Sequence, residues 1–137
     1  MAKKITIVLI DDHAVVRAGV RRLLEQEPLF DVTGEAESGE KAYQTYGELK
    51  PDVMVMDLSM PGMGGLEAIR RILMRYERAK ILVLSMHEDL SFANQALKLG
   101  AKGYLLKNAL GEDLVKSIKE VAEGNVFLSD DIARKMA

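Results

Sequence analysis

Four short apolar runs and one weaker strand-like stretch alternate along the chain with segments of helical periodicity, and this alternation restricts the possible folds more than any other feature. The runs are too short for ordinary helices and most are rich in β-branched residues, which is typical of buried strands. The apolar runs occupy residues 5–10, 52–57, 80–85 and 103–106, and residues 32–36 are predicted to form a weaker strand of the kind found at a sheet edge. The segments between them repeat apolar residues at the spacing of amphipathic helices. The sequence therefore predicts an α/β fold, with a doubly wound, five-stranded parallel sheet and helices on both faces.

Composition narrows the class of protein. The 137 residues are 48% hydrophobic and 29% charged, which fits one globular domain. A net charge of −2 gives no sign of a nucleic-acid surface or an anionic membrane as a partner. The chain has no cysteine, so disulfides and thiol chemistry are excluded. The apolar run after Lys4 is too short for a signal peptide or a membrane span, so we expect a cytoplasmic protein.

Charged or hydroxyl groups stand at the carboxyl ends of four predicted strands. They are Asp11 and Asp12 after the first strand, Asp57 at the end of the third, Ser85 at the end of the fourth and Lys107 after the fifth. In an open parallel sheet, ligands bind at this edge, at the point where the strand order reverses. In a flavodoxin-like sheet with strand order 2-1-3-4-5, that point lies between the first and third strands. We therefore expect these side chains to converge on one pocket.

The types of residue in this pocket predict its chemistry. Three carboxylates repel one another unless a cation lies between them, and oxygen ligands in a shallow site favour Mg²⁺. A carboxylate can also attack a phosphoryl group while a metal, an ammonium and a hydroxyl neutralise the transferred charge. Asp57, Lys107 and Ser85, together with a metal site, are the minimum set for that reaction. His13 is expected beside the pocket, at the start of a helix, and not as a metal ligand.

The same residues resemble those of a known family, the receiver domains of two-component response regulators. The resemblance covers about residues 5–123, and its parts are Asp11-Asp12, Asp57 followed by Met60-Pro61 and Gly65, Ser85, and the segment 103–107. Each part alone is a weak signal, but all of them in register at successive strand ends are highly specific. The Asp11-Asp12-His13 start, the ending at 103–107 and the segment 123–125 are similar to the NarL/FixJ (LuxR-type) subgroup of transcription regulators.

The resemblance implies a role for each acidic residue. Asp57 would be the phospho-acceptor, taking a phosphoryl group from a sensor histidine kinase or a small phosphodonor. Asp12 and Asp57 would bind Mg²⁺ directly, Asp11 would act mainly through water, and Ser59 would offer its backbone carbonyl. Such a protein catalyses only its own phosphorylation and dephosphorylation, so the resemblance implies a signalling switch and not an enzyme.

The resemblance also implies how the phosphoryl group is detected. Ser85 would hydrogen-bond one phosphoryl oxygen and Lys107 would pair with another. Tyr104 would be the switch aromatic that moves inward as Ser85 is drawn to the phosphate. Asn108 departs from the family pattern, because many receivers have a proline there after a cis peptide, and it leaves the geometry of this loop open.

The resemblance divides the chain into residues 1–124, the receiver domain, and residues 125–137, the start of a linker. Ser129 could cap a short helix in that linker. In this subgroup such a linker leads to a helix-turn-helix domain, so our hypothesis is that the chain is a receiver module from a longer transcription factor. It would contact DNA only through that further domain, would form a homodimer on phosphorylation and would have no membrane partner.

Two other functions compete with this one. Phosphatases of the haloacid-dehalogenase type also use an aspartate nucleophile, but they need a second aspartate two residues later, where this chain has Ser59. A pseudo-receiver would bind partners without being phosphorylated. Catalytic hydrolysis of a phosphomonoester would favour the first alternative, and failure to bind Mg²⁺ would favour the second.

Overall fold

The computed structural model describes residues 3–58, 64–86, 90–107 and 111–136. Within them, one sheet contains six parallel strands in the order β2-β1-β3-β4-β5-β6. The strands are β1 (Ile5–Ile10), β2 (Phe30–Ala36), β3 (Val53–Asp57), β4 (Ile81–Ser85), β5 (Gly103–Leu106) and β6 (Phe127–Leu128). The helices are α1 (Ala14–Glu25), α2 (Gly39–Leu49), α3 (Gly65–Arg75), α4 (Leu90–Leu99), α5 (Glu112–Ala122) and α6 (Asp130–Met136). The predicted α/β fold and the strand order 2-1-3-4-5 are confirmed, and a short sixth strand extends the sheet.

Helices cover both faces of the sheet, because successive strand residues point to opposite sides. In β3, Met54 and Met56 pack on one side with residues of α2, α3, α4 and α6. Val53 and Val55 pack on the other side with residues of α1 and α5. Each side therefore has its own apolar core, which explains why a central strand such as β3 reads as an apolar run.

The strand registers bring the predicted site residues to one edge. Ile10 lies opposite Met56, so the residues that follow them, Asp11 and Asp57, end neighbouring strands side by side. Ser85 lies opposite Leu106 in the next pair of strands, one residue before Lys107. Parallel pairing thus places the polar ends of β1, β3, β4 and β5 along the same side of the sheet.

Local capping fixes several helix ends near their predicted positions. Ser38 accepts a hydrogen bond from the backbone N–H of Lys41 and begins α2, as predicted. Gly100 has a φ of 114°, which favours glycine, and it ends α4 as predicted. The backbone N–H of Ala101 then donates to the carbonyl of Ala96, which satisfies one of the last carbonyls of the helix. No helix in the described residues is both long and apolar enough to span a membrane.

The C-terminal segment packs against the sheet. Phe127 and Leu128 pair with β5, and the backbone N–H of Ser129 donates to the carbonyl of Tyr104 at 3.1 Å. Ile132 of α6 is fully buried in the core. The helix after Ser129 forms as predicted, but the Ser129 hydroxyl is buried and makes no hydrogen bond within the described residues, so the predicted side-chain cap is wrong. That this segment leads to a further domain stays a prediction.

Candidate functional site

Lys107 joins the carboxylates at the ends of two other strands. Its Nζ lies 3.1 Å from Asp11 Oδ2 and 3.4 Å from Asp57 Oδ2. The three side chains are 11%, 8% and 1% exposed, respectively. Charges so deeply buried need partners, and one ammonium offsets only one of the two carboxylates. The pocket therefore keeps a surplus of negative charge that a further cation would balance.

Asp12 and His13 lie beside Asp11 and Asp57, and these four residues are called the acidic group below. Ligand atoms of Asp11, Asp12, His13 and Asp57 all lie within 4.8 Å of one another. Asp12 Oδ1 is buried and accepts no hydrogen bond from the described part of the chain, although His13 Nδ1 lies 3.0 Å away. A carboxylate oxygen in this state is a ligand that a hard divalent cation prefers. The donor set therefore fits Mg²⁺.

The remaining predicted site residues differ in how far the structure describes them. Ser85 ends β4 and is fully buried. Tyr104 is also fully buried, on the side of the sheet that α4 covers. Ser59 and the peptide between Lys107 and Asn108 lie outside the described residues, and the roles of all these residues stay predictions.

Asp11 is held by contacts on its backbone as well as on its carboxylate. Its N–H donates to the carbonyl of Ala36 at 3.1 Å, and its Oδ1 accepts from the backbone N–H of His13 at 2.9 Å. Its Oδ2 accepts from Lys107, and its carbonyl oxygen accepts from a terminal nitrogen (NH1) of Arg17 at 2.6 Å. Both the position of this residue and the direction of its side chain are therefore fixed by the fold.

Arg17 is a residue of this site that the sequence analysis missed. The sequence places it among the polar residues of α1, and nothing in its spacing shows what it contacts. In the structure its Nε donates to Glu35 Oε1 at 2.7 Å, and Arg21 NH1 donates to Glu35 Oε2 at 2.5 Å. Burial raises the pKa of the Glu35 carboxyl, but the hydrogen bonds from Arg21 and Arg17 outweigh burial and hold that pKa below its ordinary value. Glu35 is therefore a stable anchor for both arginines at neutral pH.

We expect Glu35→Gln to flatten the acid side of the stability profile. Because the pKa of Glu35 is lower in the folded chain than in the unfolded chain, its carboxylate adds stability that is fully present above the unfolded pKa. That contribution is lost as the pH falls through the folded pKa. Urea unfolding between about pH 3 and pH 7 should show a smaller loss of unfolding free energy on acidification for the variant than for the parent. Glu48→Gln, on an exposed part of α2, is the matched control, and equal pH profiles for Glu35→Gln and the parent would contradict the expectation.

Comparison with known proteins identifies the family. The model of the response regulator receiver domain matches residues 7–119, a range that contains the acidic group and Lys107. The chain belongs to the response regulator receiver family. Over 133 residues it is 42% identical to the transcriptional regulatory protein DegU of Brevibacillus brevis, which corresponds to 97% of this chain and 56% of DegU. The chain thus spans little more than half the length of DegU.

Solved receiver structures share its fold. A two-component response regulator of the LuxR family from Aurantimonas sp. is 41% identical, with a TM-score of 0.95 over 98% of this chain and 96% of that chain. The isolated receiver domain of RcsB from Salmonella enterica serovar Typhimurium, with phosphomimetic BeF3−, is 29% identical, with a TM-score of 0.88 over 96% and 98%. Another RcsB structure, in which two dimers bind two parallel DNAs, also has a TM-score of 0.88 at 29% identity, over 96% of this chain and 67% of that chain. These neighbours confirm a receiver of the NarL/FixJ type.

Family membership settles the general class of the protein. Response regulators are signalling proteins of two-component systems and not typical enzymes. Receiver domains bind Mg²⁺ at an acidic site, and the acidic group described above is one that could hold the ion.

Proposed function

We propose that this chain is a phosphorylation-dependent signalling switch in which Asp57 accepts a phosphoryl group in a reaction that requires Mg²⁺. The observation that carries the proposal is the position of Lys107 Nζ between the buried carboxylates of Asp11 and Asp57, in a pocket that Asp12 also lines. This arrangement combines a carboxylate nucleophile, a fixed positive charge and a group of oxygen ligands within a few ångströms. The structure of the related RcsB receiver domain in the presence of the phosphomimetic BeF3− also supports the proposal.

Asp57 would act as the nucleophile. One of its carboxylate oxygens forms a bond to the phosphorus of the donor, while the bond between phosphorus and the leaving group breaks. The leaving group is acetate when acetyl phosphate is the donor and a kinase histidine when the donor is a phosphohistidine. Lys107 is already beside the acceptor and would pair with one phosphoryl oxygen after transfer. Ser85, at the end of the neighbouring strand β4, would donate its hydroxyl proton to another.

The three carboxylates would bind the metal in different ways. Asp12 and Asp57 would bind Mg²⁺ directly, Asp11 would bind it mainly through water, and Ser59 would contribute its backbone carbonyl. The ion, when bound, neutralises charge on the transferred phosphoryl group. Without the ion, the Lys107 ammonium offsets part of the charge of Asp11 and Asp57, so the resting pocket depends on this residue.

The partners follow from the family and are proposed for this chain on that basis. The phosphodonor in the cell would be a sensor histidine kinase, and the cytoplasm would be the site of the reaction. Residues 1–124 would form the receiver, and residues 125–137 would lead to a helix-turn-helix domain that binds DNA. RcsB, whose dimers bind DNA, supports a homodimer as the phosphorylated state. Ser85 and Tyr104 would transmit phosphorylation to the surface that dimerises.

Acetyl phosphate tests the acceptor directly. After incubation with acetyl phosphate and Mg²⁺, the intact mass of the parent should rise by one phosphoryl group, and EDTA should prevent the change. Asp57→Ala should gain none. Asp31→Ala is the matched control, because Asp31 is an exposed aspartate in the same sheet, and it should be phosphorylated like the parent. Phosphorylation of Asp57→Ala to the parental extent would remove Asp57 from its role.

The same experiment separates the two alternatives. A phosphatase of the haloacid-dehalogenase type would release many phosphate ions from a phosphomonoester for each protein molecule, whereas a switch retains one acid-labile phosphoryl group. A pseudo-receiver would gain no phosphoryl group and would bind no Mg²⁺ in calorimetry. Either result would replace the proposal with the corresponding alternative.

A further inference from the structure

Arg17 links the acidic pocket to the edge of the sheet. Its NH1 nitrogen donates to the carbonyl of Asp11 at 2.6 Å, and its Nε donates to Glu35 Oε1 at 2.7 Å. The Arg17 side chain is only 18% exposed. We propose that Arg17 is a positioning residue that fixes the peptide between Asp11 and Asp12 and thereby sets the affinity of the pocket for Mg²⁺. The inference rests on the proposed function, because it takes the acidic pocket as the Mg²⁺ site.

The peptide between Asp11 and Asp12 connects the hydrogen bond from Arg17 to the side chains that would bind the metal. The carbonyl of Asp11 and the N–H of Asp12 belong to one rigid planar unit. A hydrogen bond to that carbonyl therefore restrains the position of the backbone nitrogen of Asp12. Asp12 has fewer restraints than its neighbour, because its side chain is 23% exposed and its Oδ1 accepts no hydrogen bond within the described residues. Without Arg17, Asp12 would sample more orientations, and some of the binding free energy would be used to order it.

Glu35 keeps the guanidinium of Arg17 in place. The Glu35 carboxylate also accepts from Arg21 NH1 at 2.5 Å, and Arg21 in turn reaches the carbonyl of Val32 at 3.4 Å. Arg17 uses two different nitrogens for its two acceptors, which the planar guanidinium presents at a fixed separation. A lysine has one ammonium on a flexible chain, so it would keep the charge of Arg17 and lose this simultaneous contact.

The sign of the effect distinguishes positioning from simple electrostatics. Arg17 is a positive charge near a pocket that binds a cation, so its removal should strengthen Mg²⁺ binding if charge alone matters. If Arg17 acts by holding the Asp11 carbonyl, its removal should weaken Mg²⁺ binding instead. The two explanations therefore predict changes in opposite directions.

Calorimetric titration with Mg²⁺, without a phosphodonor, measures this sign. We expect Arg17→Met to raise the Kd for Mg²⁺ by about tenfold, the lower end of the range for residues that orient metal ligands. Arg17→Lys should also raise it, although the charge is kept. Arg22→Met is the matched control: it removes an exposed arginine of the same helix and should leave the Kd within about twofold of the parental value. An unchanged or lower Kd for Arg17→Met would overturn the proposal.

Phosphorylation at saturating Mg²⁺ provides a second readout. Arg17→Met should need more Mg²⁺ for half-maximal phosphorylation by acetyl phosphate but should reach the parental extent once the ion saturates. A general loss of structure would lower the extent as well. If Arg17→Met does not fold, Glu35→Gln tests the same linkage and should raise the Kd for Mg²⁺ by a smaller factor; an unchanged Kd in that variant would then overturn the proposal.

The outcome for the parent separates the two proposals. A parent that binds no Mg²⁺ would contradict both the proposed function and this inference. A parent that binds Mg²⁺ and is phosphorylated at Asp57, together with a normal Kd in the Arg17 variants, would contradict only the inference.

Discussion

Lys107→Met should bind Mg²⁺ about tenfold more tightly than the parent, because it removes a positive charge that competes with the ion. In the parent, Lys107 Nζ lies within 3.4 Å of both Asp11 and Asp57, so Mg²⁺ must enter a pocket that already holds an ammonium. Without Lys107, its ammonium no longer offsets the negative charge of the carboxylates, so they attract the ion more strongly. The expected change is opposite in sign to that for Arg17, although both substitutions remove a positive charge. This contrast follows from geometry, since Lys107 contacts the carboxylates and Arg17 contacts a backbone carbonyl.

The same substitution should make folding depend on Mg²⁺. The substitution removes the ammonium that pairs with two buried carboxylates, and breaking a buried pair in this way costs about 3 kcal/mol. Mg²⁺ at a hundred times its Kd should restore about 2.7 kcal/mol by binding the folded state only. Urea unfolding of Lys107→Met with and without Mg²⁺ measures both effects, and Lys98→Met, an exposed lysine of α4, is the matched control. Equal stability of the parent and Lys107→Met in EDTA would show that Lys107 does not balance the pocket.

Four of the first five strands could be predicted because each contains an apolar run that ends at or just before a polar residue. The end of β3 illustrates this, since Asp57 and the residues after it mark both the strand end and the site. The second strand, β2, mixes polar and apolar residues, and the sequence predicted it only as a weaker strand at the sheet edge. Helix ends were predictable where a single residue determines them, as Ser38 does for α2 and Gly100 for α4. The order of the strands came from the flavodoxin-like pattern and not from any residue, because parallel strands are joined through helices and their neighbours are not encoded locally.

Features that depend on contacts between distant residues could not be predicted. β6 has two residues, Phe127 and Leu128, which are too few to show a period, and it is a strand only because β5 offers an unpaired edge. The contact between Arg17 and Glu35 depends on the register of β1 and β2, in which Leu9 lies opposite Glu35. That register shifts by one residue between Ile7 and Val8, because Thr33 of β2 has no register partner in β1.

Gly65→Ala should destabilise the domain and slow phosphorylation, because this glycine touches the backbone of the acceptor strand. A Cβ at position 65 would lie 2.7 Å from the carbonyl oxygen of Asp57 and 2.7 Å from Cα of Leu58. Both neighbours are backbone atoms, so the clash is relieved only if α3 or the end of β3 moves. Overpacking of this kind costs about 1–3 kcal/mol, and here the displaced group belongs to Asp57, the proposed phospho-acceptor.

Gly19→Ala is the matched control for this substitution, and the two should have opposite effects. Gly19 lies within α1, and a Cβ there would meet no atom within 4 Å. The added methyl group should therefore stabilise the helix by about 0.5–1 kcal/mol, since it restricts the unfolded chain without a clash. Thermal unfolding should show a higher Tm for Gly19→Ala and a lower Tm for Gly65→Ala, separated by roughly 5–10 °C for a chain of this size. The initial rate of phosphorylation by acetyl phosphate should fall only in Gly65→Ala. A Gly65→Ala protein with parental stability and rate would mean that α3 does not pack tightly against Asp57, and the close contact at this edge of the sheet would have no functional role.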